Sequence, residues 1–322
     1  MNEGIDGSAR RAGTEGEGGM GAGPTGGTPV TPVVATAARP DVDSVEAGPA
    51  WLLVGIDGTE RGENALRWAV ERARRTGAGL SLVRVIESDA DDAVARRCLD
   101  EACAELAQRA PEVPRRSSVV KGDVVGGLVK ASAGHTMIVM GSHRKRTLGE
   151  VVTGARGLRV SVAAKVPTAV ISCDWEPAAP GEGIVAGVGP DDSSAAAVEF
   201  AAGEALSWGE GLELISAWGL PPAISKPAEA MGGGLSPVGA EYERDLAERT
   251  EALRAKYPTL DVTGSSVEGP SPAKVLLDRA RGHRMLVLGT HGRSALGRLL
   301  LGSVGSGALA GLAAPTVIVP RG

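Results

Sequence analysis

The chain has 322 residues, 43% apolar and 23% charged, a composition that fits a folded protein of two domains and excludes wholesale disorder. Its net charge of −5 argues against a nucleic-acid partner held by phosphate neutralisation, which needs a basic face. No run of about 18 apolar residues is present to span a membrane, and the opening residues lack the apolar core of a signal peptide, so no membrane partner is expected.

Residues 1–50 contain 11 Gly and 5 Pro and almost no large apolar side chains, which predicts a disordered tail. A first domain is expected over 51–173. Its strands are Trp51–Ile56, Leu80–Ile86, 116–121, Met137–Met140 and 168–172. Helices are expected at 62–76, 91–109, 124–133 and 154–164, the first with Leu66, Ala69, Val70 and Ala73 on one face. The hydrophilic stretch 174–182 reads as a linker. A second domain, 183–322, repeats the alternation, with strands at 183–188, 212–218, 262–268, 285–288 and 316–319 and helices at 193–208, 240–256, 272–281 and 302–313. Near-continuous Val/Ile/Leu strands alternating with helices predict an α/β protein with parallel sheets covered on both faces. With only eight aromatic residues in the chain, the core must be Ala, Val and Leu.

The two domains are copies. GHTMIVMGSHRKRTLGE (134–150) and GHRMLVLGTHGRSALGR (282–298) share eight of 17 positions at an offset of 148. Both histidine pairs, His135/His283 and His143/His291, fall on that offset. Upstream, 55–73 aligns with 187–205 at an offset of 132, so the second copy carries a 16-residue excess, expected in the Gly/Pro-rich stretch 219–239. Such duplication governs the whole fold.

The sharpest chemical signal follows the fourth strand of copy two: Gly289-Thr290-His291-Gly292, nine residues, then Gly302-Ser303. Glycines let a backbone approach a ligand closely, and the free N–H groups and dipole of a helix starting near Ser303 suit a phosphate. Ser303 can cap that helix or bond a phosphate oxygen. Arg293 and Arg298 add positive charge.

This pattern, G-x2-G-x9-G-[S/T], resembles the ATP-binding motif of universal stress proteins. The opening strands Val54–Thr59 and Val185–Gly189, and the closing segments 167–172 and 315–320, resemble that family's first and last strands. The resemblance covers roughly residues 50–320 and implies a tandem arrangement of two doubly wound domains. Each would have a five-stranded parallel sheet in the order 3-2-1-4-5, helices on both faces and a ligand crevice between strands 1 and 4. It also implies that the halves pair through their last strands or that two chains form a homodimer. The nucleotide positions it implies are Asp57, Val85, Met140, Gly141, Ser142 and Gly154 in copy one. In copy two they are Gly189, Asp191, Ala217, Leu288, Gly289, Thr290, Gly292, Arg293, Gly302 and Ser303.

The copies depart from the family pattern in different places. Copy one keeps Asp57 but has Arg144 for the second glycine and Ala155 for the final Ser/Thr. Copy two keeps the loop but has Gly189-Pro190 where the Asp should stand, with Asp191 or Asp192 able to substitute. Asp57 can alternatively serve only as a helix cap.

Other readings are weaker. The histidines of a copy lie eight residues apart across a strand, without ligand-spaced partners, so no metal is expected. Cys98, Cys103 and Cys173 are too few for a disulfide framework and fit a reducing cytoplasm. Asp89, Asp91 and Asp92 read as a solvated cluster at a helix start, and Trp68 as a core residue. Walker A, Gly-x-Ser-x-Gly and nucleophile–base–orienter sets are missing from the sequence, so no catalytic residues are expected. The expectation is a non-enzymatic stress-response regulator binding an adenine nucleotide, ATP alone or with Mg2+, with a protein partner the sequence does not identify. A scaffold that has lost nucleotide binding is the second reading, and a weak ATP hydrolase the third.

Overall fold

In the computed structural model of the chain, the structure describes residues 50–142, 155–177, 182–189, 192–219, 236–269, 271–290 and 301–321. The expected N-terminal tail lies outside them, except for Ala50. The first half runs β1 (Trp51–Gly55), α1 (Glu60–Thr76), β2 (Gly79–Ile86), α2 (Asp92–Arg109), β3 (Arg115–Lys121), α3 (Val124–Ala131), β4 (Met137–Gly141), α4 (Ala155–Ala163) and β5 (Thr168–Ile171). The second runs β6 (Ile184–Gly187), α5 (Ala195–Trp208), β7 (Leu212–Trp218), α6 (Ser236–Lys256), β8 (Val262–Glu268), α7 (Pro272–Ala280), β9 (Met285–Gly289), α8 (Ser303–Gly311) and β10 (Thr316–Val319).

The described strands form one ten-stranded sheet in the order β3-β2-β1-β4-β5-β10-β9-β6-β7-β8. Each half therefore has the order 3-2-1-4-5. Pairing within each half is parallel. The halves join where β5 and β10 run antiparallel, Val170 opposite Thr316, Ala169 opposite Val317 and Thr168 opposite Ile318. Two edges that would each invite aggregation are thereby paired with one another. The strand registers also locate the excess of the second half. Leu52 faces Leu80 as Ile184 faces Leu212, an offset of 132, whereas Leu80 faces Arg115 as Leu212 faces Val262. The extra residues thus fall between β7 and β8.

Side-chain alternation along each strand supplies both layers. Leu52 and Val54 of β1 enter a core with Ala65, Trp68 and Ala69 of α1, and this core continues into the second half through Ala197, Ala201, Ala186 and Val317. Leu53 points the other way, into a core with Leu128 of α3 and Val160 of α4 that continues to Leu276, Leu309 and Ile318. Both faces of the inner, apolar strands are thus buried, while the edge strands β3 and β8 are largely exposed or half-buried, and neither core stops at the boundary between halves.

Where α1 meets α5 the packing turns ionic. Arg72 of the first half pairs with Glu204 of the second. Trp208 lies under the guanidinium groups of Arg284, 4.0 Å from the ring centroid, and Arg75, at 5.4 Å. Arg284 is held in turn by the buried carboxylate of Glu210, with both oxygens 2.9 Å from its Nε.

Candidate functional site

In this strand order the connections of β1 and β4 leave the sheet in opposite directions, so a crevice opens at the carboxyl ends of the two strands. The same relation holds for β6 and β9. Those of the predicted residues that are described lie at or near the strand ends.

In the first half, Ile56 continues the β1 ladder by one bond, its N–H donating to the Val83 carbonyl at 2.8 Å. Asp57 follows at the strand exit, exposed to solvent. Its Oδ1 accepts from the Thr59 N–H at 3.0 Å and the Thr59 hydroxyl at 2.6 Å. The N-cap of α1 is Thr59, so Asp57 does not cap the helix; it closes the turn leading into it. That turn needs Gly58, whose φ is +71°. At the end of β4, Met140 and Ser142 are buried. The Ser142 N–H donates to the Ile171 carbonyl at 2.8 Å, while its buried hydroxyl has no hydrogen-bond partner among the described residues. Val85, near the end of β2, packs against α3. A Cβ added to Gly127 would stand 2.7 Å from its Cγ1.

The second half is arranged differently. The Thr290 N–H donates to the Val319 carbonyl at 2.9 Å, and its hydroxyl accepts from the Arg321 N–H at 3.1 Å. The backbone bond matches that of Ser142 to Ile171, but the Thr290 hydroxyl is engaged where that of Ser142 is not. Gly189 donates its N–H to the Ser194 hydroxyl at 3.4 Å. Gly289 allows this turn to rest on the strand end, since a Cβ there would lie 2.8 Å from the Ser193 carbonyl oxygen. Leu288 and Leu301, flanking the 291–300 segment, are both anchored in the second-face core. Ala217 is partly buried against the same core.

The helix after that segment begins at Ser303, with Gly302 as its N-cap in extended conformation and no side-chain cap bond. Ser303 is thus the first helical residue, exposed to solvent, so of the two roles open to it in the sequence, capping α8 is not the one observed. A glycine cap leaves the first-turn N–H groups without a side-chain acceptor, which is the arrangement that receives an anion. Gly154, Asp191, Gly292 and Arg293 lie outside the described residues, as do His143, Arg144, His291 and Arg298.

The remaining candidates separate from the crevice. Among the described residues no group of three or more His, Cys, Asp or Glu could hold a metal ion, and all three cysteines are free. His135 contacts the Ala133 carbonyl and Arg116 Nη2, each at 3.2 Å. Burial holds its pKa below the ordinary imidazole value, and Arg116 adds to that effect. Asp89 is exposed and Asp92 partly buried, and each is paired, Asp89 with Lys121 and Asp92 with Arg96. Sequence reasoning missed Arg84. It occupies a polar position of β2 and reaches over Gly58 to the sulfur of Cys98. A lone charge in a strand that otherwise reads LSLV-VI was the available signal.

The profile of the universal stress protein family matches residues 52–172 and again 182–320. A universal stress protein of Mycolicibacterium smegmatis is 26% identical over 297 residues, covering 84% of this chain and 97% of the relative. One from Mycobacterium tuberculosis strain H37Rv is 26% identical over 288 residues, covering 83% and 96%. Among solved structures, a universal stress protein from Archaeoglobus fulgidus shares the fold with a TM-score of 0.61 at 18% identity, over 84% of this chain and 98% of that one. With both halves matched by one family profile and the 3-2-1-4-5 order in each, the chain belongs to the universal stress protein family.

Proposed function

We propose that the chain is a stress-response regulator that binds an adenine nucleotide, ATP alone or with Mg2+, in its second half. The observation that carries this reading is the uncapped start of α8 at Gly302–Ser303, in a chain whose segment from Gly289 to Ser303 has the family's phosphate-loop spacing. First-turn N–H groups and the helix dipole receive the phosphates. By the family's spacing, the positions assigned to the phosphates are Gly289, Thr290, Gly292 and Arg293, and those assigned to the nucleoside are Gly189, Asp191, Ala217 and Leu288. In the first half the matching positions are Asp57, Val85, Met140, Gly141, Ser142 and Gly154, with Arg144 and Ala155 breaking the loop pattern.

In this reading the nucleotide is an effector and is not turned over. Its binding shifts the chain toward a state with different association properties, in a reducing cytoplasm. The two working units are 51–173 and 183–322, joined by 174–182. A scaffold without nucleotide is the second reading, favoured by the broken loop of the first half. Equilibrium dialysis of nucleotide-stripped protein against ATP and Mg2+ separates them: retained ATP supports the regulator, and none supports the scaffold.

A further inference from the structure

The geometry points to a phosphoryl-anion site in the first half, anchored by Arg84 at the turn that leaves β1. Arg84 is half-buried on β2. Its Nη1 lies 3.2 Å from the Cys98 Sγ and 3.0 Å from where a Cβ on Gly58 would stand. The guanidinium therefore lies over the Gly58 turn at the carboxyl edge of the sheet, with α2 behind it. Among the described residues that sulfur is its one hydrogen-bond acceptor, and no carboxylate stands within ion-pair distance of it. A thiol is a weak acceptor for a group that carries five donors. A half-buried charge without a counter-ion is costly to hold.

The two arginines buried among the described residues are provided for, Arg72 by Glu204 and Arg284 by Glu210. Arg84, half-buried, has no such carboxylate, and it faces a glycine turn that leaves the guanidinium approachable. The adjacent carboxylate, Asp57, has its Oδ1 engaged by Thr59. A planar guanidinium fork matches a tetrahedral phosphate in two-point contact. The site is private to the first half, because strand register puts a buried serine, Ser216, at the matching position of β7. It stands apart from the Gly302–Ser303 loop and does not rest on the nucleotide reading of the second half.

The test is a phosphorus NMR titration of the full chain with inorganic phosphate, at ionic strength fixed with chloride. Saturable binding is expected, weakened about tenfold or more by Arg84→Gln, the scale of a lost charge-assisted bond. Arg84→Lys, which keeps the charge and loses the fork, falls between. Cys98→Ala keeps the parent affinity, since the sulfur only fills a donor. Displacement of bound phosphate by AMP marks a nucleotide phosphoryl group as the occupant; phosphate retained at saturating AMP marks the free anion. Arg84 is the anchor in both cases. Equal affinity in Arg84→Gln and parent, an equal loss in Cys98→Ala, or no saturable binding of phosphate or AMP overturns the assignment.

Discussion

Arg72 and Glu204 meet across the boundary between the two halves in a forked ion pair. Arg72 Nε lies 3.1 Å from both carboxylate oxygens, and its Nη2 lies 2.5 Å from Oε1. The side chains are only 10% and 5% exposed. The pair joins α1 to α5, and each charge finds its direct counter-ion in the other.

Removing one member leaves a buried, uncompensated charge. Arg72→Met or Glu204→Leu should therefore each lower unfolding stability by about 3–5 kcal/mol. The double replacement Arg72→Met with Glu204→Leu should recover most of that loss, because an apolar pair of similar volume avoids the desolvation of both ions. Urea unfolding of the four proteins checks this, and additive losses would contradict it.

Glu71, on the same helix, predicts a pH effect. Burial pushes its carboxyl above the ordinary glutamate value, against the pull of Arg284, Arg67 and Arg74. The folded state then holds its proton to higher pH than the unfolded state does. The stability this group contributes is full below the unfolded value and is lost as pH rises through the folded one. Glu71→Gln should consequently be more stable than the parent at pH 7, with the difference shrinking toward pH 4. Thermal melts across that range measure it; a constant difference would contradict the assignment.

Because both cores run through the β5–β10 seam, the halves should unfold together. Trp51 and Trp68 lie in the first half and Trp208 and Trp218 in the second. Fluorescence of variants keeping only one pair should give coincident urea transitions with equal midpoints. Ile318→Ala, which empties space in the seam core, should shift both by about 2–5 kcal/mol. Two separated transitions would show independent domains.

The turn at Asp57 predicts a separable structural effect. Asp57→Ala removes the acceptor for the Thr59 N–H and hydroxyl and should cost about 1 kcal/mol, while Asp57→Asn retains an acceptor and should cost less. Chemical denaturation distinguishes them, and equal losses would mean that the carboxylate charge, not the turn bond, is what matters.

The strands were the most legible part of the sequence. WLLVG, MIVMG and MLVLG are apolar on both faces and can lie only inside a covered parallel sheet. Helix starts were less so. The cap of α1 is Thr59 where Asp57 was an alternative, and that of α8 is Gly302 where Ser303 was an alternative, because cap position follows backbone angles as well as side-chain chemistry. The pairing of Arg72 with Glu204 could not be read. Arg72 is one of several charges on α1 and Glu204 one of two on α5, and the burial of each depends on a helix 132 positions away. Arg84 was hidden for the same reason, its surroundings being set by α2 and the β1 turn. The doubled motif spacing did mark the strand ends that border the two crevices.

The central claim is nucleotide binding by the second half, and its most direct test is calorimetric titration of stripped protein with ATP and Mg2+, beside Gly302→Asp. Gly302 has φ −61° and ψ 172°, which any residue adopts, and aspartate is a good N-cap, so the variant keeps α8 while placing a negative charge where the phosphates would sit. The account predicts one ATP site per chain in the parent and its loss in Gly302→Asp at unchanged melting temperature. No binding by the parent, or equal binding by both proteins, would contradict it.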